Sequence, residues 1–574
     1  MSKIPLYDVE KISNLKQMLA QSVDKFGPKP AFHVKHKGSE NYSPITYSQY
    51  GKDVDSLGTA LIDMGLKGKR IAVIGENRYE WAVSYLAAVC GTGIVVPLDK
   101  DLPPHEIENL SAVSQVNAII FSGKYRSTIE NISSKLASVE YLIDMDAESD
   151  SKNLLSFSQL LLKGSKLLAE GNTTFIDAPV NETGMSILLF TSGTTSEAKA
   201  VMLSHRNICT NLMDMCTMVK LVESDVFLSV LPLHHTYECS CGFLCPIYRG
   251  ASVAYCEGLK HIAKNLKECN ATVMLGVPLI FESIYKKLWE QASKKRGMKT
   301  KLKVGIAVSD VLRIVFKIDI RRKIFAPIYH TLGSGIRLFI SGAAAINPKV
   351  LKGFRSLGVE ALQGYGLTEC SPILAVNRDV HFNDASAGLA LPNVQLRIDS
   401  PNDEGVGEIV AKGGNVMLGY YNNEEATNAV MKDGWFYTGD LGYINNEGFL
   451  FITGRKKNVI VTKNGKNIYP EEIETLLSVS PYIQECMVWG KTGESTADIE
   501  IQAIIVPNFE KINEDFKDNP LNQDGIYELI KKEIKAINKT LPLYKYIRDF
   551  TIREEEFAKT TTRKIKRHLA NIPK

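Results

Sequence analysis

Between residues 70 and 335, short apolar runs rich in Val and Ile alternate with stretches in which apolar residues recur three or four positions apart. RIAVIG, GIVVPL, NAIIF and ATVMLGV have the length of buried strands, whereas ENRYEWAVSYLAAV has helical spacing. Such alternation predicts α/β layers with largely parallel strands covered on both faces. After Asp384 the texture shortens to NVQLRI, GEIVAKG and GYINNEGFLFITG, with Gly, Asn and Asp at the turns. This predicts an antiparallel sheet or small barrel. Beyond Gly454, YPEEIETLLSV, ECMVWGK and IEIQAIIVP predict a compact α+β unit, with the Lys- and Asn-rich stretch 510–524 as a surface loop inside it. The expected fold class is α/β. A large N-terminal domain of doubly wound sheets plus a small β-barrel-like subdomain would span 1–455, and a small α+β C-terminal domain 456–574.

A chain of 574 residues is too long for one core, which agrees with that division. A net charge of +4 is nearly neutral at this length; it argues against a nucleic-acid partner and is compatible with anionic small ligands such as nucleotides. The ten cysteines show neither zinc-ribbon nor CxxC spacing. Cys239, Cys241 and Cys245, in an apolar stretch, read as buried free thiols of a reducing compartment rather than metal ligands. The N-terminus lacks the apolar core of a signal peptide, and the longest apolar run, 86–98, contains two glycines and is too short to span a bilayer. The expected location is cytoplasmic.

RIAVIGENR offers a strand and one glycine but no Gly-x-Gly spacing, so it reads as a structural strand, and no Gly-x-x-x-x-Gly-Lys-Ser/Thr loop is present. A different phosphate device follows the apolar strand SILLF. Phe190-Thr191-Ser192-Gly193-Thr194-Thr195-Ser196-Glu197-Ala198-Lys199 gathers hydroxyls, a glycine and a lysine where side chains and backbone N–H groups can wrap phosphate oxygens. Taken alone, such a turn is more often a solvated loop. Gln363-Gly364-Tyr365-Gly366-Leu367-Thr368-Glu369 adds two glycines around an aromatic, which let the backbone approach a flat ligand. Thr368 can donate to a phosphate there, and Glu369 can hold a Mg²⁺ ion bridging phosphates. The turn around Asp440 presents one carboxylate, suited to a ribose diol. Gly454-Arg455-Lys456-Lys457-Asn458 and the stretch 560–566 add cations that, alone, would be solvated faces.

In this order and at these separations, the five motifs resemble the acyl-adenylate-forming (AMP-binding) enzymes, over residues 15–567. The family includes acyl-CoA synthetases, firefly luciferase and nonribosomal peptide adenylation domains. The stretches 201–205, 231–235, 276–278 and 464–474, with the long segment 288–336, resemble in particular the long-chain fatty acyl-CoA synthetase branch. The resemblance implies ATP-dependent activation of a fatty acid as acyl-AMP, with Mg²⁺ as metal and coenzyme A as acceptor. It assigns Thr191, Ser192, Gly193, Thr194, Thr195 and Lys199 to the β- and γ-phosphates. Gly342, Ala343 and Ala344 would flank the adenine and the acyl entrance, while Gln363, Gly364 and Tyr365 would pack on the adenine. Thr368 would lie at the α-phosphate, Glu369 on Mg²⁺, Asp440 and Arg455 at the ribose, and His235 at the carboxylate and acyl pocket. Lys564 matches the lysine that touches both the substrate carboxylate and the α-phosphate, so Lys564, Thr368 and His235 form the implied catalytic set. Lys457 matches a hinge about which the C-terminal domain, carrying Lys564, turns to bring the Gly465 loop toward coenzyme A. The family usually has Gly, Pro and Gly where this chain has Ser196, Ala198 and Ala200, and Gly where it has Arg563.

Alternatives stay open at this level. An acyl carrier protein could replace coenzyme A as acceptor, and a nucleotide- or lipid-binding relative could keep the motifs without turnover. A homodimer is compatible with the sequence. Val308, Val311, Leu312, Val315 and Phe316 share one helical stripe, with Arg313, Lys317 and Arg321 displaced from it. A core-packed helix with a solvated basic face is the expectation; a helix in peripheral contact with the inner face of a membrane is the alternative.

Overall fold

The computed structural model describes residues 4–36, 38–191, 199–294, 297–461, 466–492, 499–560 and 565–570. The strands Arg70–Ile74, Ile94–Leu98, Ala118–Phe121 and Tyr141–Asp144 run parallel. They are buried almost throughout, as their unbroken apolar runs require. Met185–Phe190 joins them in parallel, with Ile187 opposite Val95, and Ala200–Ser204 then turns back antiparallel along it. The helices Tyr47–Asp63 and Phe157–Ala169 cross on this layer so closely that a Cβ on Gly164 would lie 1.7 Å from the Ser56 carbonyl oxygen.

The second sheet holds the parallel strands Val226–Ser229, Ser252–Tyr255, Val273–Gly276, Leu338–Ser341 and Glu360–Gly366. The last of these changes partner direction midway. Glu360 to Gln363 pair in parallel with Leu338–Ser341, whereas Gly364 to Gly366 pair antiparallel with Ile373–Val376. Gly388–Ala390, Phe449–Arg455, Trp435–Ile444, Gly407–Gly413 and Val394–Asp399 continue the antiparallel half. The texture change expected after Asp384 is therefore real, but these strands extend the parallel sheet rather than standing apart from it.

At the C-terminal end, Ile483–Thr492 pairs antiparallel with Ile499–Pro507, which runs parallel to Ile547–Ile552. The helices Pro470–Leu477 and Gln523–Asn538 cover this sheet through Ile473, Leu477, Ile530 and Ile534. Two expectations need correction. The stretch 510–524 is not all loop: Phe509–Asp515 is helical, because Asn508 caps the Lys511 N–H at 3.1 Å and Ile512 is buried. The helix Met298–Phe316 does not pack on the expected stripe. Gly305 and Ser309 let it lie close to Ile324 and Phe325, so Leu302 and Ile306 face inward, while Val308, Val311, Val315 and Phe316 are exposed.

Cys239 and Cys245 are buried and Cys241 half-buried, all as free thiols. No described helix is long and apolar enough to cross a membrane.

Candidate active site

A cavity of 2520 Å³ opens beside the point where Glu360–Gly366 changes partners, and it is lined from both the large N-terminal part and the C-terminal sheet. It lies at the carboxyl ends of the parallel strands Val273–Gly276, Leu338–Ser341 and Glu360–Gly366, the edge at which open α/β sheets bind ligands. Thr191, Lys199, His235, Gly342, Ala343, Ala344, Gln363, Gly364, Tyr365, Thr368, Glu369, Asp440, Arg455 and Lys457 all line it. Their spread along the sequence is thus gathered into one place. Ser192, Gly193, Thr194, Thr195, Ser196, Ala198, Gly465, Arg563 and Lys564 lie outside the described residues.

The base of the hydroxyl-rich loop is a hairpin. The Thr191 N–H donates to the Lys199 carbonyl at 3.0 Å, continuing the pairing of Phe190 with Ala200. The Lys199 ammonium sits over the Tyr420 ring, 4.8 Å from its centroid. The Tyr420 hydroxyl in turn donates to Glu369 Oε1 at 2.9 Å. A cation, an aromatic and a carboxylate are thereby ordered in series at the mouth of the loop.

The strand Glu360–Gly366 needs its glycines for closeness. A Cβ on Gly366 would fall 2.0 Å from the Pro372 carbonyl oxygen. The Gln363 side chain is committed to the backbone, donating to the Asp384 and Ser386 carbonyls at 3.0 and 2.7 Å, so it fixes the cavity wall in place. After the neighbouring strand Leu338–Ser341, Ala343 adopts a φ of 69°, a conformation rare for a residue with a side chain and often found at functional turns. Gly342 beside it lies against the Tyr237 ring.

Asp440 and Arg455 are direct cross-strand neighbours of Trp435–Ile444 and Phe449–Arg455, and Arg455 Nε lies 2.6 Å from Asp440 Oδ1. The Tyr365 hydroxyl donates to Asp440 Oδ2 at 2.7 Å. Burial and the Asp440 charge push the Tyr365 phenol well up, so it stays a donor. Asp440 is thus an oriented acceptor that suits vicinal hydroxyls.

The His235 and His234 rings are tilted at 45° with centroids 4.2 Å apart, and His234 Nε2 lies 3.5 Å from Asp99 Oδ2. Burial opposes ionisation of Asp99, but the His234 contact, the Asp101 N–H and the nearby His235 outweigh it and hold the carboxyl below its usual range. Lys457 lies in the turn Lys456–Asn458 that links the two parts of the chain; burial lowers its ammonium, and Arg455 and Arg567 add to the effect. Lys456 reaches back to Glu408 Oε2 at 2.7 Å. From the C-terminal side, Lys559, Thr560, Ile565, Lys566 and Arg567 line the cavity, with Lys559 and Ile565 bridged.

Among the described residues, no three His, Cys, Asp or Glu side chains form a ready-made metal cage. Glu369 alone fits Mg²⁺ nonetheless, since that ion is usually shared between one or two carboxylates, waters and nucleotide phosphates. Away from these groups the cavity becomes apolar, walled by Phe227, Ile262, Leu266, Ile280, Ile284 and Leu288. The sequence did not single out Tyr420, Glu408 or Asp99. Only the aromatic pair after Gly419 hinted at the first.

The sequence profile of AMP-binding enzymes matches residues 19–421, and that of the AMP-binding enzyme C-terminal domain matches residues 457–571. Fatty acyl-CoA synthetase B of Dictyostelium discoideum is 27% identical over 94% of this chain and 84% of its own length. Long-chain-fatty-acid–CoA ligase 5 of Rattus norvegicus is 29% identical over 83% of this chain and 73% of its own. Among solved structures, the anthranilate CoA ligase AuaEII in complex with anthranoyl-AMP shares the fold, with a TM-score of 0.75 at 20% identity over 99% of this chain and 97% of that one. The adenylation domain of a carboxylate reductase from Mycobacterium chelonae does so with a TM-score of 0.77 at 18% identity, over 97% and 89%. With most of its length matched, the chain belongs to the AMP-binding enzyme family.

Proposed function

We propose that the chain is a fatty acid–CoA ligase that joins a long-chain fatty acid to AMP, releases pyrophosphate and passes the acyl group to coenzyme A. The observation that carries this reading is the continuity of the cavity. Asp440, Arg455, Glu369 and Lys199 occupy its polar end, and aliphatic and aromatic side chains line its other arm. A nucleotide at the first and an acyl chain in the second bring the carboxylate to the region of His235 and Thr368. The relatives named fatty acyl-CoA synthetase B in Dictyostelium and long-chain-fatty-acid–CoA ligase 5 in rat support a fatty acid as substrate and coenzyme A as acceptor, the rat name also a long chain.

A carboxylate oxygen bonds to the α-phosphorus as the bond to pyrophosphate breaks. Both partners are anionic, so charge neutralisation and alignment decide the barrier. Lys199 and the hydroxyl loop hold the departing phosphates, Thr368 donates at the α-phosphate, and Lys564 screens the incoming carboxylate. Glu369 would hold Mg²⁺, which when bound would supply further charge compensation at the phosphates. The coenzyme A thiolate then attacks the acyl carbonyl and AMP leaves. For that step residues 456–574 turn about Lys457 relative to 1–455, withdrawing Lys564 and presenting the Gly465 loop.

ATP–pyrophosphate exchange across fatty acids of graded length tests the first half-reaction, with coenzyme A or holo acyl carrier protein added for the second. Exchange with long acids followed by acyl-CoA formation is expected. No exchange with any acid would reject the ligase and leave a binding protein, and thioester formed only on the carrier would replace coenzyme A as acceptor.

A further inference from the structure

The helix Met298–Phe316 leaves a continuous apolar stripe uncovered. Val304, Val308, Val311 and Val315 recur at four, three and four positions, so they share one face. Val311 is 54% exposed and Val315 65%; Phe316 at 61% and Ile318 at 52% extend the stripe past the helix end. The packed face, Leu302, Gly305, Ile306 and Ser309, lies about a third of a turn away, so the stripe takes no part in the core. Exposed apolar side chains that run contiguously along one face, rather than scattered singly, mark an interaction site.

Its surroundings identify the partner. Residues 299–323 carry eight Lys and Arg against two Asp. Both acids are engaged, Asp310 by Arg313 at 3.4 Å and Asp319 by Arg321 at 2.7 Å. Lys299, Lys301, Lys303, Lys317, Arg322 and Lys323 are exposed around the stripe. A second copy docking through the same face would set like charges against each other. An apolar ridge bordered by cations instead matches a bilayer of anionic lipid, with aliphatic groups among the acyl chains and ammonium groups at the headgroups.

We propose that this face, Val304 to Ile318 with its basic border, is a docking surface for anionic membranes. Its position gives the contact a purpose that rests on the fatty-acid reading above. The helix packs beside Pro278–Lys294, whose Leu279, Ile280, Ile284 and Leu288 wall the apolar arm of the cavity. Leu279 is itself half-exposed at that wall. A fatty acid leaving the bilayer then reaches the arm without crossing bulk water.

Vesicle flotation of the full-length chain tests the surface independently of catalysis. The chain should float with vesicles of phosphatidylcholine containing phosphatidylglycerol, bind pure phosphatidylcholine at least about tenfold more weakly, and be released by salt. The double variant Val311→Asp/Val315→Asp should lose binding about tenfold or more, with a melting temperature close to the parent's, because both side chains are more exposed than buried. Lys301→Glu/Lys317→Glu should lose the preference for anionic lipid. Equal flotation of parent and Val variant, or no binding by the parent, overturns the proposal. So does a parent dimer in light scattering that the Val variant dissolves. If vesicle binding holds while exchange activity is absent with every acid, the surface stands and the fatty-acid reading falls. If both hold, the Val variant should lose activity on vesicle-borne palmitate and keep it on a dissolved shorter acid.

Discussion

Asp440 is fixed from two sides, by Arg455 Nε at 2.6 Å and the Tyr365 hydroxyl at 2.7 Å, and only 6% of its side chain is exposed. Replacing it with Asn keeps the shape but removes the charge that makes these bonds strong and that a ribose diol would share. Hydrogen bonds to a charged group contribute about 1.5–3 kcal/mol, so Asp440→Asn should raise the KM for ATP by about tenfold or more and weaken AMP binding similarly by calorimetry. Glu238 poses a different residue-scale case. It is fully buried three positions after His235, and burial pushes its carboxyl up to about 8, against the lowering effect of Ser229 and the Leu231 N–H. In the unfolded chain it titrates near its ordinary 4.5. The folded state therefore keeps a proton that the unfolded state releases. Stability is full below about 4.5, falls as the pH rises, and levels off above about 8. Glu238→Gln cannot ionise, so in thermal melts it should remove this slope and gain on the parent progressively from pH 5 to 8. A parallel offset at all pH values would show that the carboxyl does not titrate there.

At the scale of elements, one histidine ties three together. The Leu15 N–H at the start of Leu15–Phe26 donates to His205 Nδ1 at 3.1 Å, and His205 Nε2 faces the Val89 carbonyl at 3.1 Å. Accepting from Leu15 requires an unprotonated Nδ1 and hence a neutral ring, whose one proton then sits on Nε2 facing Val89. Burial, set against the Val89 contact and Glu182, takes the imidazole down to about 4 from 6.5. Its contribution is present above about 6.5 and is lost as the pH falls through about 4, a change of about 3 kcal/mol. Acid unfolding between these values should flatten in His205→Gln, and hydrogen exchange at Leu15 should quicken in the parent over the same window. Legibility also divides at this scale. The buried strands could be read because unbroken apolar runs of strand length have few other homes, and the parallel layers followed from their alternation with amphipathic stretches. Phe509–Asp515 could not, since its single buried apolar residue, Ile512, leaves no periodicity to detect. The orientation of Met298–Phe316 was missed for a related reason. Gly305 and Ser309 packed inward, a choice that apolar periodicity ranks last.

At the scale of the whole molecule, the site is an encounter of distant segments. Local spacing named the residues that lie on motifs, and the cavity gathers them, from Thr191 to Lys457. It could not name their partners. Tyr420 meets Glu369 across 51 residues, and Asp99 meets His234 from another sheet, with no local pattern to announce either contact. The two walls of the cavity carry different duties in the proposed mechanism. Asp440 and Tyr365 belong to the large part and hold the nucleotide through both half-reactions, whereas Lys564 comes with the C-terminal part and is wanted only for the first. Removing one transition-state cation of this kind typically costs about 10²–10³-fold in rate. Lys564→Ala should therefore depress ATP–pyrophosphate exchange by about that factor while changing the conversion of supplied acyl-AMP and coenzyme A to acyl-CoA by less than about tenfold. A bulky substitution at Gly465 should do the reverse, sparing exchange and slowing thioester formation from the same acyl-AMP. Equal losses in both half-reactions for either variant would mean that a fixed arrangement of the two parts serves both, and the turning about Lys457 would have to be abandoned.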